Sequence, residues 1–150
     1  MQVRDIMHTD VVTIGAGDTF ARAATVLRDH RISSVVVTAE ERPIGIVTER
    51  DFVHLVADGA DPASTTAGQR MSRDLATVQP GDDIADAARL MAERRIRHLP
   101  VVSKGTLAGI ISIRDLMTWA VEELTGGHEL ADIERSSAAL SAAVELERPA

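Results

Sequence analysis

Two short motifs, Thr48-x-x-Asp51 and Ser112-x-x-Asp115, pair a hydroxyl with a carboxylate where a predicted strand becomes a helix. A helix N-terminus presents free N–H groups and the positive end of the helix dipole, and both favour phosphate. The hydroxyl would add a further phosphate donor, and the carboxylate an acceptor. The same pattern is also a capping box, which stabilises a helix without any ligand. The motifs alone leave both interpretations open.

Arg97 and His98 precede a predicted buried strand, where one of two adjacent side chains must point away from the core. Arginine offers forked donors and histidine a tunable charge, so both suit a phosphate across a cleft. The alternative is that Arg94, Arg95 and Arg97 form a solvated helix end, which is favourable beside the negative end of the helix dipole. Neither interpretation is excluded by the sequence around them.

The composition limits the function. The 150 residues carry 16 Lys+Arg against 23 Asp+Glu, and the net charge of −7 argues against nucleic-acid binding. Cysteine is absent, the five histidines lack metal-site spacing, and no phosphate-binding loop or nucleophile elbow occurs, so we expect neither a metal site nor an enzyme. No apolar run approaches the ~20 residues that span a bilayer, and no signal peptide is evident, so the expected location is cytoplasmic.

A duplication organises the chain. Residues 7–51 align with residues 71–115 at a constant offset of 64, without a gap and with fifteen identical pairs. The identical residues include Gly, Asp, Thr and Arg, which excludes chance similarity between alanine-rich segments. Because a copy of about 50 residues is too small to bury a good core alone, the two copies should pack face to face about a pseudo-two-fold axis.

The sequence pattern of each copy predicts the order β-α-β-β-α, so the expected fold class is α+β. The predicted strands are Val11–Ile14, Ser34–Thr38 and Ile44–Thr48 in copy one, and Leu75–Val78, His98–Val102 and Leu107–Ser112 in copy two. An amphipathic helix follows an N-cap predicted at Gly17-Asp18 and at Gly81-Asp82, and the last helices open at Glu49 and Ile113. Thr66-Ala67-Gly68-Gln69 is a capping box for a short helix. The predicted boundaries are 1–58 for repeat 1, 59–65 for the linker, 66–123 for repeat 2, and 124–150 for a tail with a helical stripe.

Several segments resemble the CBS (cystathionine-β-synthase) domain. They are Val3-Arg4-Asp5-Ile6-Met7, Val35–Val37, Gly45-Ile46-Val47-Thr48-Glu49-Arg50-Asp51, Ile96-Arg97-His98-Leu99-Pro100-Val101-Val102 and Gly109-Ile110-Ile111-Ser112-Ile113-Arg114-Asp115. The resemblance covers residues 3–123, a tandem pair or Bateman module, and extends to stand-alone two-repeat stress-response proteins of actinobacteria. It implies a regulatory, non-catalytic module without a cofactor that senses an adenosyl ligand, such as AMP, ADP, ATP or S-adenosylmethionine, between the repeats. The alternatives are a ligand-free stress or scaffold protein, and a subunit that regulates a separate protein.

Within that family the two clefts of this chain should be unequal. The stronger cleft is predicted to hold the ligand-binding residues Thr13, Val35, Thr48, Asp51, Arg97, His98 and Arg114. The weaker cleft is predicted to hold Thr77, Leu99, Ser112, Asp115 and Arg50, together with Ser33 and Ser34. The ribose hydroxyls would bond to the carboxylates, and Ile14, Val35, Val78 and Leu99 would either line an adenine slot or pack in the core. About one nucleotide per chain, bound through Asp51, is expected because charged donors bind phosphate more strongly than hydroxyls.

The two last helices also carry apolar stripes, which one module should leave partly uncovered. They consist of Phe52, Val53 and Val56, and of Leu116, Met117 and Ala120. An uncovered apolar face usually marks an interface, and a two-fold dimer is the commonest closed assembly. The sequence therefore predicts a homodimer, and no nucleic-acid or membrane partner.

Overall fold

The computed structural model describes residues 1–125, so the predicted tail 124–150 lies outside the described residues except for its first two positions. Repeat 1 contains a short 3-10 helix (Val3–Asp5), β1 (Thr13–Gly15), α1 (Phe20–His30), β2 (Ser34–Ala39), β3 (Arg42–Thr48) and α2 (Glu49–Ala57). Repeat 2 contains α3 (Ala67–Arg70), α4 (Ile84–Arg94), β4 (His98–Ser103), β5 (Thr106–Ser112) and α5 (Ile113–Thr125). The α+β class, the two hairpins and the helix starts at Glu49 and Ile113 are confirmed.

The hairpins determine which residues face each other across the sheets. In repeat 1, β1 pairs parallel to β2, and β2 pairs antiparallel to β3, with Ser34 opposite Thr48. In repeat 2, β4 pairs antiparallel to β5, with His98 opposite Ser112. The start of the first hairpin strand therefore lies beside the hydroxyl-carboxylate motif of the same repeat.

The strand predicted at Leu75–Val78 is wrong. Only Val78 pairs there, in a single parallel bridge with Val101. The backbone of Val78 donates to the Pro100 carbonyl at 3.2 Å and accepts from the Val102 N–H at 2.8 Å. Pro100 stands where repeat 1 has Val36, and it has no N–H with which to extend the ladder.

The first long helix of each repeat begins later than predicted. The N-cap is Thr19 for α1 and Asp83 for α4. The predicted caps Gly17-Asp18 and Gly81-Asp82 lie in the preceding turn, where the Asp18 carboxylate accepts the N–H of Gly15 at 2.8 Å. An Asp in this position closes a turn instead of starting the helix, and both uses satisfy backbone donors in the same way.

The leading segment of each repeat, residues 3–12 in repeat 1 and 67–76 in repeat 2, packs against the core of the other repeat. Val3, from the start of the chain, is fully buried in the core of repeat 2, and Ala67 and Met71 are buried in the core of repeat 1. The backbones complete the exchange, since His8 and Ile110 form two hydrogen bonds of 2.9 Å. Each small repeat thereby gains the apolar side chains that it lacks on its own.

Two equivalent glycines make this exchange possible. A Cβ on Gly109 would stand 2.8 Å from the His8 carbonyl oxygen and 2.9 Å from the Met7 sulfur. A Cβ on Gly45 would overlap the side chain of Met71 in the same manner. Only glycine lets the leading segment of one repeat lie against the hairpin of the other.

Substitution of Gly109 by alanine should destabilise the protein by about 1–3 kcal/mol, because the added methyl must push the His8 backbone away from its bridge. The expected loss is a fall of several degrees in the melting temperature. Gly17→Ala is the matched control, since a Cβ there meets nothing within 4 Å. Equal melting temperatures for the two variants would contradict the packing argument.

Candidate functional site

A cavity of about 1380 Å³ lies between the two repeats. Repeat 1 lines it with residues 7–12 of the leading segment, the C-terminal end of α1, residues 33–34 and the first turn of α2. Repeat 2 lines it with Arg97, His98 and residues 112–115 at the start of α5. The cavity thus contains one hydroxyl-carboxylate motif, a helix N-terminus and residues of both repeats.

The Asp115 carboxylate is held by three donors. Its Oδ2 accepts the Ser112 N–H at 2.7 Å and the Ser112 hydroxyl at 2.6 Å, and its Oδ1 accepts from His8 Nε2 at 2.9 Å. Partial burial alone would raise the pKa of Asp115. The hydrogen bonds from the Ser112 hydroxyl, the His8 imidazole and the Ser112 N–H outweigh it and hold the pKa below the ordinary value. The carboxylate is therefore ionised at neutral pH.

His98 makes a second contact between the repeats inside the cavity, beside that of His8 with Asp115. Its Nε2 lies 3.3 Å from the Ser33 hydroxyl oxygen, within hydrogen-bond distance. Burial lowers the pKa of His98, and the positive charges of Arg97 and Arg114 lower it further against the opposing effect of Asp115. The imidazole is therefore neutral at pH 7. It can still donate or accept a hydrogen bond, but it adds no charge to the cavity before a ligand arrives.

The charged residues that line the cavity carry a net positive charge, whereas the chain as a whole is negatively charged. Its charged lining residues are the four arginines Arg28, Arg31, Arg97 and Arg114 and the three carboxylates Asp10, Glu49 and Asp115. The net charge of the chain is −7. A local surplus of positive charge in a concave site attracts anions against the background field.

The arrangement of the predicted basic residues differs from the expected one. Arg97, His98 and Arg114 were expected across the cleft from Asp51, but they line the cavity that contains Asp115. The hairpin register explains this difference in position, because His98 pairs opposite Ser112, which belongs to the same motif as Asp115. The basic residues consequently accompany the motif of their own repeat, and Ser33 and Ser34 of repeat 1 line the same cavity.

The residues of the predicted stronger cleft lie elsewhere. Thr48 and Asp51 form a capping box, in which the Thr48 N–H donates to the Asp51 carboxylate at 2.7 Å, and neither residue lines the large cavity. Thr13 and Arg50 are exposed and are also absent from its lining. The structure therefore does not bring the expected stronger set together.

The four apolar residues predicted to line an adenine slot belong to the two hydrophobic cores. Val35 and Leu99 are completely buried, and Ile14 and Val78 are nearly so, which agrees with the core-packing alternative. Thr77 lines a smaller cavity of about 540 Å³ beside Lys104, away from both motifs. A ring bound in the large cavity would instead meet apolar side chains of the leading segment and α2.

Sequence reasoning did not identify three lining groups: His8 and Asp10 of the leading segment, Glu49 of α2, and Arg28 and Arg31 at the end of α1. The duplication offered a signal for His8 and Asp10, because two small repeats that share a core can place the leading segment of one repeat beside the other. The α1 arginines have no such signal, because a charged helix end is usually solvated.

Within residues 1–125, no cluster of three or more His, Cys, Asp or Glu side chains is arranged to hold a metal ion. No helix of that same part of the chain has the length and apolar character needed to cross a membrane.

The lowered pKa of His98 makes the stability of the protein pH-dependent. The unfolded chain binds the proton first as the pH falls below the ordinary value of 6.5, so the free energy of unfolding decreases from there down to the lowered pKa. Asp115 titrates below its ordinary value of 3.8 and stays ionised in this range. Urea unfolding should show a shallower acid loss for His98→Gln than for the unsubstituted protein, and parallel pH profiles would contradict the assignment.

The family model described as the CBS domain matches residues 3–58 and 67–122. Among curated proteins, the uncharacterized protein MK0525 of Methanopyrus kandleri is 36% identical over 120 residues, which cover 78% of this chain and 61% of the relative. Hypoxic response protein 1 of Mycobacterium tuberculosis is 32% identical over 115 residues, covering 75% of this chain and 80% of that protein.

Solved structures agree with these relationships. The crystal structure of Hypoxic Response Protein I with two coordinated zinc ions has a TM-score of 0.72 at 31% identity, covering 79% of this chain and 98% of that one. The CBS domain pair of protein MJ0100, in complex with 5′-methylthioadenosine and S-adenosyl-L-methionine, has a TM-score of 0.76 at 22% identity, covering 82% of this chain and 98% of that one, and shows the shared fold. The paired motifs, the hairpins and both matched segments lead to one conclusion: this chain belongs to the CBS-domain family as a tandem pair.

Proposed function

We propose that the cavity at Asp115 binds an adenosine nucleotide and that the protein is a regulatory, non-catalytic sensor of that ligand. The observation that carries the proposal is the placement of Ser112, Asp115 and the N-terminus of the 13-residue helix α5 in one cavity with Arg97 and Arg114. Phosphate oxygens fit the helix terminus and the arginines, and a ribose fits the carboxylate.

The ligand class is supported by a relative. The CBS pair of MJ0100 is described in complex with two adenosine compounds. The cavity of this chain, about 1380 Å³, exceeds the ~300–1,000 Å³ of common small-molecule sites, so a nucleotide has sufficient room. The surplus of arginines favours a phosphorylated adenosine over the cationic S-adenosylmethionine.

Occupancy becomes a signal only if the ligand prefers one conformation of the protein. Both repeats line the cavity, and the Ser33–His98 contact joins them inside it. A nucleotide that bridges Arg97 and the leading segment therefore favours a particular relation between the repeats. That relation is the output available to a separate partner protein.

Asp115→Asn should weaken AMP binding about 10- to 100-fold, because the ligand loses charge-assisted hydrogen bonds of about 1.5–3 kcal/mol. Asp51→Asn is the matched control, since it alters the equivalent capping box in repeat 1 and should leave the affinity within about twofold. Calorimetry of the two variants and the unsubstituted protein provides the comparison.

Thermal shift tests the ligand class as a whole. At a concentration of ~100 Kd, a nucleotide should add ~2.7 kcal/mol to the stability, which raises the melting temperature by roughly 5–10 °C. No shift with AMP, ADP, ATP or S-adenosylmethionine would favour the ligand-free scaffold. Loss of binding in Asp51→Asn but not in Asp115→Asn would restore the original order of the clefts.

We further propose that two copies associate through α2 and α5. Val53 and Val56, one helical turn apart on α2, are 67% and 75% exposed, and Leu124 on α5 is 62% exposed. Two members of the predicted stripes are not available, since Leu116 is buried and Phe52 stacks edge-on against Phe20 at 5.0 Å. The exposed valines form the centre of the surface that a second copy would cover.

The double variant Val53→Asp/Val56→Asp should be a monomer, because burial of two carboxylates in an apolar interface costs more than the contact gains. Ala85→Asp on the exposed side of α4 introduces a charge outside this surface and should remain a dimer. Light scattering gives the mass of each protein. A monomeric unsubstituted chain at every concentration tested would refute the dimer.

A further inference from the structure

His8 connects the leading segment to the cavity by two kinds of bond. Its backbone exchanges two hydrogen bonds of 2.9 Å with Ile110. Its imidazole Nε2 donates to Asp115 Oδ1 at 2.9 Å, from a side chain that is 66% exposed to a carboxylate that is 17% exposed. The backbone bonds anchor the residue, and the imidazole is free to turn toward solvent.

The imidazole uses the one carboxylate oxygen that the capping box does not. Asp115 Oδ2 already accepts the N–H and the hydroxyl of Ser112. A vicinal diol binds a carboxylate best when each hydroxyl donates to a different oxygen, so a ribose at Asp115 needs access to Oδ1. His8 and the ribose therefore compete for the same atom.

The other repeat has no such competitor. The residue equivalent to His8 is Ser72, whose backbone makes the same exchange with Ile46 at 3.0 and 3.1 Å. Among residues 1–125, the Ser72 side chain forms no hydrogen bond with Asp51, whose carboxylate accepts from the N–H and the hydroxyl of Thr48. The contact is thus a particular property of the Asp115 cavity and not of the repeated fold.

We propose that the His8 imidazole occupies the ribose position on Asp115 when no nucleotide is bound and must leave it when one binds. The proposal rests on the function proposed above. It makes His8 a residue that sets the affinity for the ribose diol, since every diol must first replace an existing hydrogen bond. Ligands without the diol do not pay this cost and leave His8 in place.

Release of His8 also carries the signal to the leading segment. Val3 and Arg4 of that segment bond to the Asp82 and Pro80 carbonyls of repeat 2, each at 2.9 Å. The segment then crosses to β1 of repeat 1. A nucleotide that displaces His8 breaks the hydrogen bond that joins this segment to the motif of repeat 2.

The test compares AMP with 2′,3′-dideoxy-AMP by calorimetry. His8→Ala should bind AMP about 3- to 10-fold more tightly than the unsubstituted protein, as expected for removal of one competing hydrogen bond. The same variant should bind the dideoxy compound unchanged. His8→Gln, whose amide can donate to the same oxygen, should stay near the unsubstituted affinity for AMP.

Ser72→Ala is the matched control in repeat 1 and should alter neither affinity. The proposal is overturned if His8→Ala leaves AMP binding unchanged or weakens it, or if it strengthens both ligands equally. A different pattern, in which no protein binds AMP at all, overturns the proposed function and the role of His8 with it. Because the His8 imidazole is 66% exposed and Asp115 keeps its two hydrogen bonds from Ser112, His8→Ala should remain folded, and an unchanged melting temperature checks this.

Discussion

The structure depends on a close reciprocal contact between the leading segment of each repeat and the hairpin of the other. Gly109 admits Met7 and the His8 backbone, and Gly45 admits Met71 in the same way. Each contact needs a position without a side chain, because even a single methyl would overlap the incoming chain. Neither repeat has a complete core without the exchange, so the two fold as one unit.

The exchange also explains where the cavity lies and why it is unlike the rest of the surface. The leading segment of repeat 1 crosses in front of α5 on its way to β1, and it forms one wall of the site. The opposite wall carries Arg97 and Arg114 close to the N-terminus of α5. An anion in this position meets oriented N–H groups and fixed positive charge, although the chain as a whole carries −7.

The two interpretations of the hydroxyl-carboxylate motif turn out to be compatible. Asp115 caps α5 through Oδ2, while Oδ1 points to His8 and the cavity. One oxygen therefore stabilises the helix, and the proposed ligand role of the other does not conflict with that cap. In repeat 1 the same capping box is formed at Thr48 and Asp51, but neither residue lines the cavity that contains Asp115. A symmetric frame thus carries asymmetric chemistry, because the copies differ at positions that line the cavity: His8 stands where repeat 2 has Ser72, and Arg97 and His98 stand where repeat 1 has Ser33 and Ser34.

Much of this protein was determined by local sequence patterns. The 64-residue duplication, the helix starts at Glu49 and Ile113, and the capping box at Thr66 can be recognised because periodicity, turn residues and caps act over a few positions. The strand predicted at Leu75–Val78 shows the limit of such patterns, since Pro100 in the neighbouring strand lacks the N–H that would extend the pairing beyond Val78. The site residues were named individually, but their grouping was not.

Tertiary structure alone decided that grouping. The hairpin register places His98 beside Ser112, and the exchange of leading segments carries His8 to Asp115, a residue 107 positions away in the chain. Both outcomes depend on contacts through space that have no signature in local spacing. The sequence by itself determined the fold family and the chemistry of each motif, and the packing of the two repeats determined which motif shares a cavity with the basic residues.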